Sequence, residues 1–353
     1  MRNNFLASIF ILGLCFLFVI ALTVPNSIAG YELSGVVETE LGYVSTDTIN
    51  GDSSSTTEIS LATVELAIDA DINESVKGNV VLLFEENETE LDIDTGTITI
   101  ANEAKCPFSL TIGKMVVPFG NFATHFVSDP FTLEIGETIE SALLLGYAKG
   151  LASGSLTLFN GDIDETDNDA NLDNNDNMIE TFVLNVALDI PSETMPINFG
   201  ISYISNIADT DTIGDLGTTT TVDSAVGGLN VYLTSKSGPI TLEAEYVQAM
   251  GEFEVGDLGL GGIDEKKPGA WNVEIAYEVS EKLEVAGKYE QTMDLDYTGS
   301  ESYETRFGIA ASYGLYEATT LSVELLNSTG YDPGAGLDEA TETAVTAQLA
   351  IEF

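Results

Sequence analysis

The chain has 353 residues, with 11 Lys+Arg against 58 Asp+Glu and a formal net charge of -47. Such acidity excludes a general nucleic-acid binder, because neutralising phosphates takes clustered Lys and Arg. A hydrophobic share of 44%, with 13 Tyr and 16 Phe, excludes a disordered polyanion, which lacks the apolar surface to fold.

The chain opens with Arg2, an apolar run from Phe5 to Val24, then Pro25 and Ser27-Ile28-Ala29. A basic start, an apolar stretch and a small-x-small site predict a secretory signal peptide over 1–29. An uncleaved anchor is the alternative, since about 20 apolar residues span a bilayer. Cys15 falls in this leader, so Cys106 stands alone in the mature chain and no internal disulfide forms. After Ala29 no apolar run approaches the ~18 residues of a spanning helix. An exported chain of this kind crosses a membrane only as a closed barrel, because lipid satisfies no backbone polar group.

From residue 30 the chain reads as sixteen strands, at about 31–44, 57–71, 77–86, 91–101, 108–119, 140–149, 151–161, 179–190, 195–206, 222–235, 239–252, 270–280, 283–296, 302–314, 319–330 and 341–353. In WNVEIAYEVS, Trp271, Val273, Ile275, Tyr277 and Val279 share one face while Asn272, Glu274, Glu278 and Ser280 share the other. That is the period of two of a strand with one apolar face. In 57–71 the apolar phase slips between Leu61 and Val64, which calls for a bulge. Seven connections are short, such as Lys149-Gly150 and Lys236-Ser237-Gly238. They alternate with eight that are mostly longer and acidic, such as DIDETDNDANLDNNDNM and GDLGLGGIDEKKPG. Short turns on one side and long loops on the other mark an outer-membrane barrel. The last strand, VTAQLAIEF, ends on Phe353, the pattern expected to engage barrel-assembly machinery.

The expected fold is therefore all-β: a transmembrane antiparallel up-and-down β-barrel of about sixteen strands over 30–353, in the outer membrane among lipid and lipopolysaccharide. A barrel of that size encloses an aqueous channel. Asn272, Glu274, Glu278, Lys288 and Arg306 are then expected to face water inside it.

The alternation stops at GNFATHFVSDPFTLEIGETIES, between the fifth and sixth strands. In sixteen-stranded porins that place belongs to the third external loop, which folds inward and narrows the pore. Irregular backbone at membrane depth is tolerated only inside such a lumen. Phe119, Phe122, Phe126 and Phe131 are expected to pack on the wall, and Pro118 and Pro130 to stiffen the loop. Asp129, Glu134, Glu137 and Glu140 supply charge, with Lys288 and Arg306 opposing them across the constriction. A surface loop packed on the outer rim is the competing reading.

GKMVVPFGNF, THFVSDPFTLEIGET, ESALLLGY and LFNG, all within 113–161, resemble the LbtU family of siderophore porins. The resemblance implies a sixteen-stranded barrel without a plug domain and passage of a ferric siderophore.

His125 has no second His or Cys nearby, so it reads as a loop-packing residue rather than a metal contact. Asp167–Asn177 is dense in oxygen ligands for Ca²⁺ but lacks the Gly and terminal Glu of an EF-hand loop. Bound calcium there competes with a solvated acidic loop. No Gly-x-Ser-x-Gly, His-Glu-x-x-His or Cys-x-x-Cys motif occurs, so no enzyme is expected. The functional expectation is passive passage of small hydrophilic solutes with a bias toward cations, without cofactor, with a homotrimer as one assembly. The alternative is an exported soluble β-rich acidic module or adhesin stabilised by calcium, with the Trp271-Ile275-Tyr277 face as its buried core.

Overall fold

Strands that alternate apolar and polar residues bury one face, and here they do so by curling into a closed ring. The computed structural model describes residues 30–102, 104–165, 179–215, 221–257, 265–295, 303–332 and 338–353. The expected leader over 1–29 and the Asp167–Asn177 calcium reading lie outside the described residues.

The strands are β1 (Gly30–Asp47), β2 (Ser53–Asn73), β3 (Val76–Glu85), β4 (Thr89–Ala101), β5 (Phe108–Val116), β6 (Ile139–Lys149), β7 (Ala152–Phe159), β8 (Asp164–Glu165), β9 (Thr181–Ile190) and β10 (Ile197–Ile204). They continue with β11 (Thr221–Val222), β12 (Gly228–Ser237), β13 (Ile240–Ala249), β14 (Gly269–Ser280), β15 (Leu283–Met293), β16 (Tyr303–Tyr316), β17 (Thr319–Gly330) and β18 (Thr341–Glu352). All but β8 and β11 form one closed barrel of sixteen strands, in which β1 pairs with both β2 and β18. Every barrel pair for which a register exists is antiparallel, as in Tyr43↔Val345 across the closing seam. Beyond that seam, Gly35 and Phe353 exchange reciprocal N–H···O bonds of 2.9 and 3.0 Å. No edge remains to be satisfied by lipid.

The phase slip in the second strand is a bulge. Glu38 pairs with Thr63 but Glu40 with Ser60, so Thr39 faces both Leu61 and Ala62. Glu86 takes up the displaced backbone: its carboxylate accepts from Leu61 N at 2.7 Å and its own N–H donates to Leu61 O at 3.2 Å.

Several expected strands have other bounds, three of them at the ends that meet the outer loops. The strand expected from 222 begins at Gly228, because Thr221–Val222 pairs in parallel with Asp164–Glu165 in a separate two-stranded sheet. Val222 and Val226 are buried in the loop core instead. The strand expected to reach 119 stops at Val116, just before Pro118, and that expected to reach 252 stops at Ala249.

The outward face is apolar. Ile275 is 55% and Phe307 55% exposed, while Asn272 and Glu274, on the opposite face of β14, are buried. A soluble module would bury the Ile275 and Tyr277 face; here it is bare, as lipid contact requires. Aromatic pairs sit outward near both ends of the strands: Trp271–Tyr289 and Phe182–Tyr203 toward the long loops, Phe108–Tyr147 toward the short turns. Such girdles mark the two membrane interfaces.

Adjacent residues on β17 test this sidedness. Val323 points outward and Ser322 bonds Ser312 across the inner face. Val323→Lys is expected to lower folding stability in vesicles by about 2–4 kcal/mol, whereas Ser322→Lys changes it little. A denaturant titration followed by heat-modifiable gel mobility measures both; equal costs contradict the assignment.

Candidate functional site

Pro118, Gly120 and Pro130 deny the 117–138 loop regular structure until a short helix, α1 (Phe131–Gly136). A chain segment without its own ladder must find other partners for its N–H groups. Inward glutamates on β13, β14, β15 and β17 supply them. Glu245 accepts from Asn121 N at 2.9 Å and Phe122 N at 2.7 Å. Glu274 accepts from Thr124 Oγ1 at 2.7 Å and His125 N at 2.8 Å. Glu324 accepts from Val127 N at 2.8 Å, Ser128 N at 3.1 Å and the Ser128 hydroxyl. Glu290 accepts from Phe131 N at 2.9 Å and so caps α1, whose Pro130 offers no side-chain cap. Charged acceptors make such bonds worth about 1.5–3 kcal/mol each. Asn230 and Asn272 brace two of these carboxylates, donating to Glu245 at 2.8 Å and Glu274 at 2.9 Å.

Aromatic packing completes the attachment. Phe122 adopts φ 51°, a left-handed conformation unusual for a bulky residue. Its ring lies against Gly120 and Gly136: a Cβ on either would come within 2.3 or 2.7 Å of it. Phe119 and Phe131 are buried. They join Ile135 and residues of the neighbouring outer loops, including Ile163, Ile207, Ile213 and Phe253, in one apolar core. Two short helices lie there, η1 (Ile207–Asp209) and α2 (Asp211–Asp215). Asp211 N donates to Glu137 O at 3.0 Å, and the Asp211 carboxylate accepts from Ile139 N at 3.1–3.2 Å. Asp209 accepts from Ile163 N at 3.0 Å and Thr181 Oγ1 at 2.5 Å. Burial pushes its carboxyl up to about 6 against those bonds.

The loop thus runs along the inner wall of β13–β17, and this corrects two expectations. Asn272, Glu274 and Lys288 do not face open water, because the loop covers them and leaves each nearly inaccessible. Nor do Lys288 and Arg306 stand across a gap from the loop carboxylates, since both lie beneath or beside the loop. Lys288 Nζ is 3.1 Å from Glu290 and 4.7 Å from the centre of the Phe126 ring. Arg306 meets Glu290 at 3.2 Å, Glu134 at 3.8 Å and the Asp129 carbonyl at 3.3 Å, and stacks on Phe131 at 4.0 Å. A buried cation needs such paired partners. Glu278, further along β14, stays half exposed and holds Lys236 at 2.5 Å.

Of the loop acids, Asp129 and Glu134 are exposed and Glu137 is half-buried. Burial first, then the Asp211 carboxylate, pushes the Glu137 carboxyl up to about 7. Glu140 lies on β6 rather than in the loop. His125 is held between carboxylates, with Nδ1 2.8 Å from Glu284 and Nε2 4.0 Å from Glu243. The wall glutamates 245, 290 and 324 were absent from the sequence-based site. Their sole signal was an acid at an inward position of neighbouring strands.

Residues 17–332 match the Gram-negative porin family. A UPF0422 protein of Coxiella burnetii is 25% identical over 69% of this chain and 52% of its own length. The chain thus spans about half the length of that curated relative. Among solved structures, the outer membrane channel DcaP of Acinetobacter baumannii superposes with TM-score 0.64 at 16% identity, covering 94% of this chain and 99% of its own. The anion-selective porin from Comamonas acidovorans does so with TM-score 0.58 at 15% identity, covering 92% and 100%. These two likenesses are of fold.

Removing one anchor tests the attachment. Glu324→Ala leaves the 127 and 128 amides without their acceptor. Their hydrogen exchange is expected to speed by roughly ten- to a hundredfold, from bonds of about 1.5–3 kcal/mol, with the β13–β17 strand amides unchanged. Unchanged exchange at 127–128 contradicts the anchoring.

Proposed function

The chain belongs to the Gram-negative porin family, and from that footing we propose that it passes small hydrophilic solutes passively and prefers cations. It is a channel of the outer membrane rather than an enzyme. The observation that carries the finer reading is the 117–138 loop: it lies inside the barrel and presents carboxylates while the nearby cations are occupied. In this reading Phe122, His125 and Phe126 seat the loop, and Asp129, Glu134 and Glu137 give the constriction its charge. Lys288 and Arg306 hold its underside, and Glu140 adds charge from the strand that follows. Carboxylates in a narrow, low-dielectric passage concentrate cations and repel anions.

Planar-bilayer recording tests this. Stepwise channels are expected, with a reversal potential in a salt gradient that reports cation preference. Deleting most of 122–136 widens conductance; unchanged conductance rejects the constriction.

Glu137 adds a pH dependence of known sign. An acid with a raised pKa is neutral below it and charged above it, so charge appears as pH rises through about 7. Cation preference is therefore expected to grow between about pH 6 and pH 8, one unit either side of the midpoint, and Glu137→Gln reduces that rise. A pH-independent reversal potential over this window contradicts the role of Glu137.

A second reading, passage of a ferric siderophore, is favoured by the stretch 113–161 that resembles the LbtU family. Uptake of labelled ferric chelates by cells with and without the protein separates it from general cation passage; equal uptake removes it.

A further inference from the structure

The barrel interior is asymmetric. On one side, inward residues near the long-loop ends of β6, β7, β9, β10, β13 and β14 are apolar and buried: Ala142, Phe159, Val183, Ile204, Val247 and Ala270. Together with the apolar residues of the outer loops they form one continuous core. That half of the mouth is packed largely as a protein interior, with a cavity of about 420 Å³ among Ile163, Ala208, Asp209 and Asp211 of its outer loops. On the other side, no residue of β18, β1, β2, β3 or β4 is buried. These five strands are consecutive around the ring, so the unburied wall is a single arc facing the free side of the 117–138 loop.

The chemistry of that arc is one-signed. Tyr31, Leu33, Leu41 and Tyr43 are exposed on the lipid face of β1, which turns Glu38 and Glu40 inward; Glu40 accepts from Gln348 of β18 at 3.0 Å. By the same alternation Ile68 and Ile72 place Glu65 and Asp69 inward, and Val80 places Glu85 inward. Asp69 accepts from Asn79 at 3.0 Å and Glu85 from Thr89 at 2.7 Å. The single basic residue on the five strands is Lys77, which pairs with Asp71 at 3.5 Å. Across the gap, Asp129 and Glu137 of the loop lie within electrostatic reach of Glu85.

We propose that solute crosses through an off-centre half-channel between the 117–138 loop and the β18–β4 arc. Glu38, Glu40, Glu65, Asp69 and Glu85 make this path selective for compact, positively charged hydrophilic solutes over anionic chelates. This rests on the pore reading above and sharpens its cargo. Arg306 and Lys288 sit behind the loop, so carboxylates on both walls face the path without an opposing basic row. The screening length of about 8 Å at physiological salt lets both walls act on one solute in a narrow passage. An anion meets like charge from either side, whereas a cation exchanges part of its hydration for carboxylate contacts. A bulky ferric chelate with net negative charge is disfavoured twice, by size and by sign.

Cysteine accessibility tests this on the full chain in membranes. In a background of Cys15→Ser and Cys106→Ser, Glu65→Cys and Asp69→Cys probe the open arc, while Val247→Cys and Ala142→Cys probe the packed half. Each variant is first checked for folding by heat-modifiable mobility, and two positions per side guard against one that fails to fold. Labelling by a cationic trimethylammonium-ethyl and an anionic sulfonatoethyl methanethiosulfonate is read by intact mass. The open-arc cysteines are expected to react, about tenfold or more faster with the cationic reagent, and the packed-half cysteines to stay unmodified. Equal labelling of the two halves overturns the half-channel, and equal rates for the two reagents overturn the charge selection. Because the readout is mass, a failure of the pore reading shows separately, as absent conductance in the parent protein.

Discussion

Backbone hydrogen bonding in a medium that offers none governs this molecule. In lipid every N–H and C=O must find a partner within the chain, and β1 meeting β18 closes the ladder so that no strand edge is left open. The same requirement reappears inside the barrel in another form. The 117–138 loop has no ladder, and the wall answers its N–H groups with carboxylates from Glu245, Glu274, Glu290 and Glu324. Closure fixes the container, and the glutamates fix what lies within it.

The acid excess, -47 over the chain, accordingly divides into kinds of work. Some carboxylates are structural acceptors, buried and saturated by loop donors. Others line the unburied arc, where the proposed path runs. A fold shared with an anion-selective porin does not set the sign of selectivity; the side chains along the path do. Here the few cations near the constriction are already paired, Lys288 with Glu290 and Phe126, and Arg306 with Glu290, Glu134 and Phe131.

Much of the fold was legible because alternation encodes which face a residue occupies. WNVEIAYEVS gave the sidedness of β14 directly, and the phase slip near Leu61 marked a real bulge. Alternation is silent about what covers a face. It placed Glu274 and Lys288 inward but could not tell open water from the underside of a loop 150 residues away in sequence. The four anchors looked like ordinary lumen acids, because their partners are backbone amides that no residue identity reveals. Likewise Val222 reads as strand, yet loop packing and a short parallel pair with Glu165 claim it. Tertiary contacts decided the outcome at the places where local pattern left the choice open.

The central claim is that the loop is held against the β13–β17 wall, away from the arc opposite. Pulsed electron–electron double resonance measures this directly, with one nitroxide at loop position 129 and a second on the lipid face at 323 of β17 or at 80 of β3. The account predicts a narrow distance distribution to each, with the β17 label the nearer. Broad distributions, or a loop label nearer to β3, would contradict it.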